Sequence, residues 1–262
     1  YIQTALKQNW LATLFASVLI LTYMGGFNLL ASFNVADAFT HYSWANEWTP
    51  WIIGAILAVL MAGSIFGGTR RLTDVTGLLV PIMAIIYLGV GLVVVALNYQ
   101  NIPAMFAAIF KGAFDFHAIF GGFAGSAMMY GIKRGLYSNE AGVGSAPNAA
   151  ASASVSHPAK QGLVQMLSVF IDTMVICTLT AFVVLSSGVG EDGGVTGAPL
   201  VKDAMATVLG QSVAQVFISV ALFLFAFTTL VGNFYYAEVN FRFLMRNKHM
   251  QHWMLSIFRG VA

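Results

Sequence analysis

Three stretches of this chain put hydrogen-bonding groups inside apolar sequence, where they need a reason to be. Residues 120–126 read FGGFAGS, with glycine at 121, 122 and 125. Against alanine, three glycines cost a helix about 2–3 kcal/mol. They also let the backbone unwind and present amides or carbonyls to a ligand. The ends of the two half-helices then offer partial positive charge to a carboxylate and partial negative charge to a cation. Close helix–helix packing through small residues is the competing reading. A Gly125-Ser126 nucleophile would need a histidine partner, and only His117 and His157 are near in sequence.

Asp172 lies in the middle of VFIDTMVICTLT, residues 169–180. Helical spacing puts Gln165, Ser168 and Asp172 in one stripe, with Thr173, Cys177 and Thr180 beside it. A carboxylate at the centre of a span costs about 3 kcal/mol unless it is partnered or faces water. Two roles remain open: coupling to an ion or proton, or accepting hydrogen bonds from the polar loop before it and pinning that loop. Residues 131–145, GIKRGLYSNEAGVGS, form that loop, with Asn139 and Glu140 among its polar groups. It lacks the Gly-Lys-Ser/Thr ending and the preceding strand of a phosphate loop.

The third stretch, residues 227–238, reads FTTLVGNFYYAE. Thr229, Gly232, Asn233 and Tyr236 fall at i, i+3, i+4 and i+7 and make one polar face. Hydroxyl and carbonyl oxygens are hard ligands suited to sodium, and the adjacent Thr228 and Thr229 can supply two. Hydroxyls bonding back to their own helix are the alternative. Glu238 reads as interfacial, near the inner end. No HExxH motif or paired-carboxylate helix is present, so hydrolytic chemistry finds no support and the chain does not read as an enzyme.

The elements that must position these groups are membrane spans. The 262 residues are 58% hydrophobic and 8% charged, against about 25% charged in soluble domains. Too few charges remain to cover a water-facing surface, so the chain reads as an all-α polytopic membrane protein. A net charge of +2 suggests no nucleic-acid partner, and the single cysteine, Cys177, allows no intrachain disulfide. Runs of about 20 apolar residues cross a bilayer as helices. Six are expected, near 11–39, 50–67, 76–97, 116–134, 160–187 and 212–237, and a seventh begins near Trp253. With residue 1 on the cytoplasmic side, that side carries Lys7, Arg70, Arg71, Lys133, Arg134, Lys160, Arg242, Arg246 and Lys248. The other side carries only Lys111 and Lys202, a positive-inside bias that fixes the orientation. Loop 98–115 contains a short amphipathic piece, Ala104–Phe114, expected at the interface. Loop 188–204 is glycine-rich, with Glu191 and Asp192. His41, Tyr42, Trp44, Trp48 and Trp51 read as an aromatic belt. The first residue is Tyr1 and no signal peptide is visible. The chain therefore reads as the interior of a longer protein and as one transmembrane transport domain over 1–262.

Several of these residues, in this order, resemble the alanine or glycine:cation symporter family. The resemblance is carried by 131–147 (GIKRGLYSNEAGVGSAP), 157–162 (HPAKQG) and 169–178 (VFIDTMVICT). Gly67-Gly68 with Arg70-Arg71, Val80-Pro81 with Tyr87, and 225–238 fit the same pattern. It covers nearly the whole chain. It implies a leucine-transporter fold, two inverted five-helix repeats whose first helices are broken, with this chain spanning helices three to eight. Helices 1, 2, 9 and 10 would then be missing. The 116–134 segment would be the broken sixth helix and 212–237 the eighth. By the same carry-over, Gly121, Gly122, Phe123, Gly125 and Ser126 would line the substrate site. Thr228 and Thr229 would contribute to a sodium site shared with the first helix.

The chain departs from that pattern at two places. Asn233 stands where many relatives carry tryptophan, and residues 31–33 (ASF) where they carry Gln-x-Asn. Asn28 and Asn34 are the nearest polar residues there. These positions would face substrate, and an asparagine in place of an indole would admit a larger or more polar side chain such as that of glutamine. The resemblance thus implies sodium-coupled symport of a small neutral amino acid by alternating access, in a bacterial-type plasma membrane. Asn28, Thr229 and Asn233 join the glycine stretch at the substrate, sodium is the coupling ion, and Asp172, Asn139 and Glu140 have a coupling or structural role. Proton coupling through Asp172, or a sensor that binds an amino acid without moving it, are the alternatives.

Overall fold

The computed structural model describes residues 2–40, 42–66, 68–114, 127–140, 142–190, 194–245, 254–256 and 258–260. Among them all regular structure is helical. After a single turn, Ile2–Ala5, come α1 (Asn9–Thr40), α2 (Thr49–Ile65), α3 (Gly68–Leu97), α4 (Ile102–Ala113), α5 (Ala127–Ser138), α6 (Ala146–Ala151), α7 (Pro158–Ser187), α8 (Ala198–Leu209) and α9 (Gln211–Leu244). Among the described residues four stretches, Asn9–Thr40, Thr76–Leu97, Pro158–Ser187 and Gln211–Leu244, are long and apolar enough to cross a membrane, and α2 is a shorter apolar helix. In hydrocarbon each backbone N–H and C=O must be bonded within the segment, which is why these apolar runs become helices.

Expected spans and observed helices agree to within a few residues at most ends, and the differences have local causes. The sixth span continues seven residues past 237 to Leu244, because Glu238 and Arg242 bond to each other along the helix. The 116–134 span falls largely outside the described residues, and its visible part, α5, runs on to Ser138. Loop 188–204 is shorter than expected. Gly197, at φ +71°, turns the chain into α8 with Pro199 in the first turn, a position where its missing N–H costs nothing. The interfacial piece begins earlier, at Ile102, with Pro103 again in the first turn. Of the seventh span, residues 254–256 and 258–260 are helical.

The chain forms two compact units, Tyr1–Met83 with Ser219–Ala262, and Ala84–Ile218. In the first, Ile53, Leu57, Met61 and Ile65 form a stripe at four-residue spacing on α2. They share a core with Val35 of α1 and with Phe227, Leu230, Val231 and Phe234 of α9. In the second, Leu179 and Val183 of α7 are buried. Phe106 of α4 meets Phe182 edge-on at 5.6 Å. A methyl at Gly91 of α3 would stand 2.7 Å from Leu179, so that glycine is what lets the two helices approach. Leu14, Val18 and Leu21 on α1, and Leu163, Leu167, Phe170 and Met174 on α7, are exposed. In water such faces would aggregate; against lipid tails they are at home.

Candidate functional site

Both α1 and α7 are interrupted by a widened π-helical turn, Thr22–Phe27 in the first unit and Ile171–Cys177 in the second. Such turns recur at functional sites, because the inserted residue breaks the regular i→i−4 bonding and re-aims side chains.

In the first unit the widened turn is aromatic. Tyr23 is buried, stacks on Phe27 with ring centroids 4.8 Å apart, and meets Tyr236 of α9 edge-on at 5.4 Å. Gly25 and Gly26, inside the turn, border open space: an added Cβ would meet nothing within 4 Å. The next residue, Asn28, accepts a hydrogen bond at 3.0 Å from the side-chain amide of Asn233, itself only 2% exposed. The structure thus joins two of the sequence-predicted substrate residues. Thr229, on the same face of α9, is exposed. Thr228 donates its hydroxyl to the carbonyls of Leu224 and Phe225, at 3.1 and 2.9 Å. That is the back-bonded arrangement considered from the sequence. It commits the proton and leaves oxygen lone pairs for a cation.

In the second unit the widened turn is polar. Ser138, the last residue of α5, donates to the Asp172 carboxylate at 2.6 Å and lies 3.2 Å from the Cys177 sulfur. Asn139 donates to the Gly135 carbonyl at 2.8 Å and to the Thr173 hydroxyl at 3.1 Å. The Thr178 hydroxyl donates to the Thr173 carbonyl at 3.4 Å, five residues back along the turn. Asp172 therefore sits among neutral partners that pin the end of α5 to the middle of α7, and no Lys, Arg or His forms an ion pair with it among the described residues.

Glu140 is drawn elsewhere. It adopts the left-handed conformation, φ +57°, uncommon for a residue with a Cβ. From there it accepts a hydrogen bond at 2.6 Å from the fully buried Ser145, closing the turn before α6. The polar loop is thus closed on itself by side-chain hydrogen bonds. At its far end the His157 ring accepts the Ala159 N–H at 3.1 Å and caps α7.

Gly121, Gly122, Phe123, Gly125 and Ser126 lie outside the described residues, as do His117 and His41. Glu238, near the inner end of its expected span, is 1% exposed. One of its oxygens receives Nε and Nη2 of Arg242 and, at 2.8 Å, Nη2 of Arg259. The i, i+4 spacing of Glu238 and Arg242 was a usable signal for half of this cluster; nothing local marked Arg259. Among the described residues no group of three or more His, Cys, Asp or Glu side chains gathers to hold a metal. The oxygens available here are hydroxyls, amides and single carboxylates, which suit a monovalent hard cation.

Known proteins resemble this chain along its whole length. The model of the sodium:alanine symporter family matches residues 1–262. An amino-acid carrier protein of Bacillus subtilis is 43% identical over 259 residues, covering 99% of this chain and 54% of the relative. A probable sodium/glutamine symporter of Bacillus subtilis is 40% identical over 250 residues, 95% of this chain and 52% of the relative. A sodium/alanine symporter of Methanococcus maripaludis is 38% identical over 232 residues, 87% of this chain and 50% of the relative. The chain thus spans about half the length of the curated relatives it matches. A match over every residue, on a chain whose helices are long and apolar enough to span a bilayer, identifies a membrane protein: the chain belongs to the sodium:alanine symporter family.

Proposed function

We propose that this chain performs sodium-coupled symport of a small neutral amino acid in the cytoplasmic membrane, as a transporter and not an enzyme. The observation that carries the reading is the family match across residues 1–262. Relatives named for sodium with alanine and for sodium with glutamine support the ion and the class of solute. Thr228 and Thr229 would give oxygens to sodium. The 121–126 stretch would hold the amino acid's carboxylate and ammonium with broken-helix backbone, and Asn28 and Asn233 would face its side chain. Sodium drives uptake only if it binds the outward-open and inward-open forms unequally. The finer architecture belongs to the same proposal: one transmembrane transport domain, equivalent to helices three to eight of a leucine-transporter-like inverted repeat.

The neutral surroundings of Asp172 favour a second reading in which that carboxylate carries a coupled proton. Uptake of labelled alanine, glycine and glutamine by the full-length protein in proteoliposomes decides between them. Accumulation that follows an inward sodium gradient at constant pH supports sodium symport. Accumulation that follows a pH gradient without sodium supports the proton, and binding without accumulation points to a sensor.

A further inference from the structure

The ion-pair cluster near the C-terminal end of α9 is only half made. Nε and Nη2 of Arg242 and Nη2 of Arg259 all donate to one oxygen of Glu238, Oε1. The other oxygen, Oε2, is buried without a partner, and so is Nε of Arg259. One of these atoms is an acceptor and the other a donor. They belong to side chains already joined at 2.8 Å through Nη2 and Oε1. A guanidinium and a carboxylate join most strongly as a fork of two parallel bonds. Here one prong is closed and the other is open.

Leaving both atoms unmet inside the protein is costly. Each is closed off from solvent, so no outside group reaches it unless side chains move. The surplus is met most directly within the cluster, by a turn of the Arg259 side chain and the Glu238 carboxylate that brings Nε onto Oε2. The resulting fork draws the carboxylate toward Arg259 and loosens the bonds that Arg242 makes to Oε1. Arg242 is 45% exposed, against 24% for Arg259, so water can replace its lost partner. The enclosed Nε of Arg259 has no such recourse. Two arrangements therefore compete: Glu238 shared by both arginines, as observed, and Glu238 forked by Arg259 alone.

We propose that Glu238 is an exchange point, passing between these two arrangements as the protein changes conformation. The carboxylate keeps a guanidinium partner in both, and only Arg242 is released. Thr228, Thr229 and Asn233 lie on the turns of α9 before Glu238. Tyr236, two residues before it, meets Tyr23 of the widened turn in α1, so a shift of α9 at those positions reaches the cluster. Arg259 lies 21 residues beyond Glu238, and the exchange ties α9 to the segment that follows it. Arg259 is then a positioning residue for transport, a role that rests on the transport reading above.

The first arm of the test uses the unaltered full-length protein. Arg242 and Arg259 are modified briefly with phenylglyoxal and read by mass spectrometry in choline, in sodium, and in sodium with alanine or glutamine. Modification of Arg242 is expected to differ by about threefold or more between conditions, as a modest population shift gives, while Arg259 stays protected. The second arm is Arg259→Lys, which keeps the charge but cannot fork. In this variant the Arg242 difference is expected to vanish. The variant's kcat for sodium-driven uptake in proteoliposomes is expected to fall about tenfold, the worth of one charge-assisted bond, with amino-acid binding unchanged. Equal modification of Arg242 in every condition overturns the proposal, whether or not the variant folds; the cluster is then fixed, with an enclosed water bridging the two atoms. So does a variant that keeps either the Arg242 difference or the parent's kcat. If Arg242 responds to sodium and amino acid yet proteoliposomes accumulate nothing, the transport reading fails and the exchange stands.

Discussion

Glu238 and Asp172 both lie within long apolar helices of this chain, and their surroundings could hardly differ more. Glu238 of α9 is buried and meets two guanidinium groups through a single oxygen. Asp172 of α7 is part-buried and meets one serine hydroxyl. The first charge is over-neutralised: two arginines, 45% and 24% exposed, face one buried glutamate. The second has no cationic partner among the described residues. A membrane protein can tie a carboxylate down with arginines, or give it a hydroxyl and leave it without a fixed countercharge.

The largest test of that contrast is Glu238→Gln. Arg242 and Arg259 are 45% and 24% exposed, so removing the carboxylate strands them only in part and costs about 2–4 kcal/mol, read from SDS-driven unfolding of the full-length protein. A variant as stable as the parent would mean that the two arginines lose nothing and the contrast is false. Ser138→Ala removes the hydroxyl that Asp172 accepts from, worth about 1.5–3 kcal/mol for a bond to a charged group in the same assay.

Asp172→Asn keeps an acceptor for Ser138 and is expected to cost only about 1 kcal/mol, while the ion or pH dependence of uptake changes. If it costs as much as Glu238→Gln and transport kinetics stay as they were, Asp172 is an anchor for α5 and nothing more. The smallest effect is expected for Thr173→Val, which removes the acceptor of one Asn139 bond and lowers stability by about 0.5–1.5 kcal/mol. A larger loss there than at Ser138 would move the centre of the cluster from the carboxylate to the amide.

Much of this was legible in the chain. The helices follow from apolar runs, and α7 was expected at 160–187 and is observed at Pro158–Ser187. Asp172 stood out because a charge inside such a run is costly, and a hydrogen bond from the preceding loop was one of the two roles open to it. What escaped notice had no local signature. The two widened turns carry no motif that separates TYMGGF or IDTMVIC from ordinary helix. The burial of Glu238 has no local signature in part because it involves Arg259, 21 residues further on. Gly190 escaped too: at φ +88°, its absent Cβ leaves room for Leu200 of α8, in a stretch expected to be loop.

By itself the sequence determined where the helices run and which family the chain belongs to. Both depend on residues near one another in the chain: an apolar run satisfies its backbone internally, and the family pattern lies in short stretches of sequence. Only the tertiary structure decided which polar groups meet. Asn28 and Asn233 each read as substrate-facing, but they are 205 positions apart and nothing in the chain says that they touch. Ser138 and Asp172 are 34 residues apart, on different helices. Such contacts depend on helix rotation and packing, and a residue's own neighbours do not specify those.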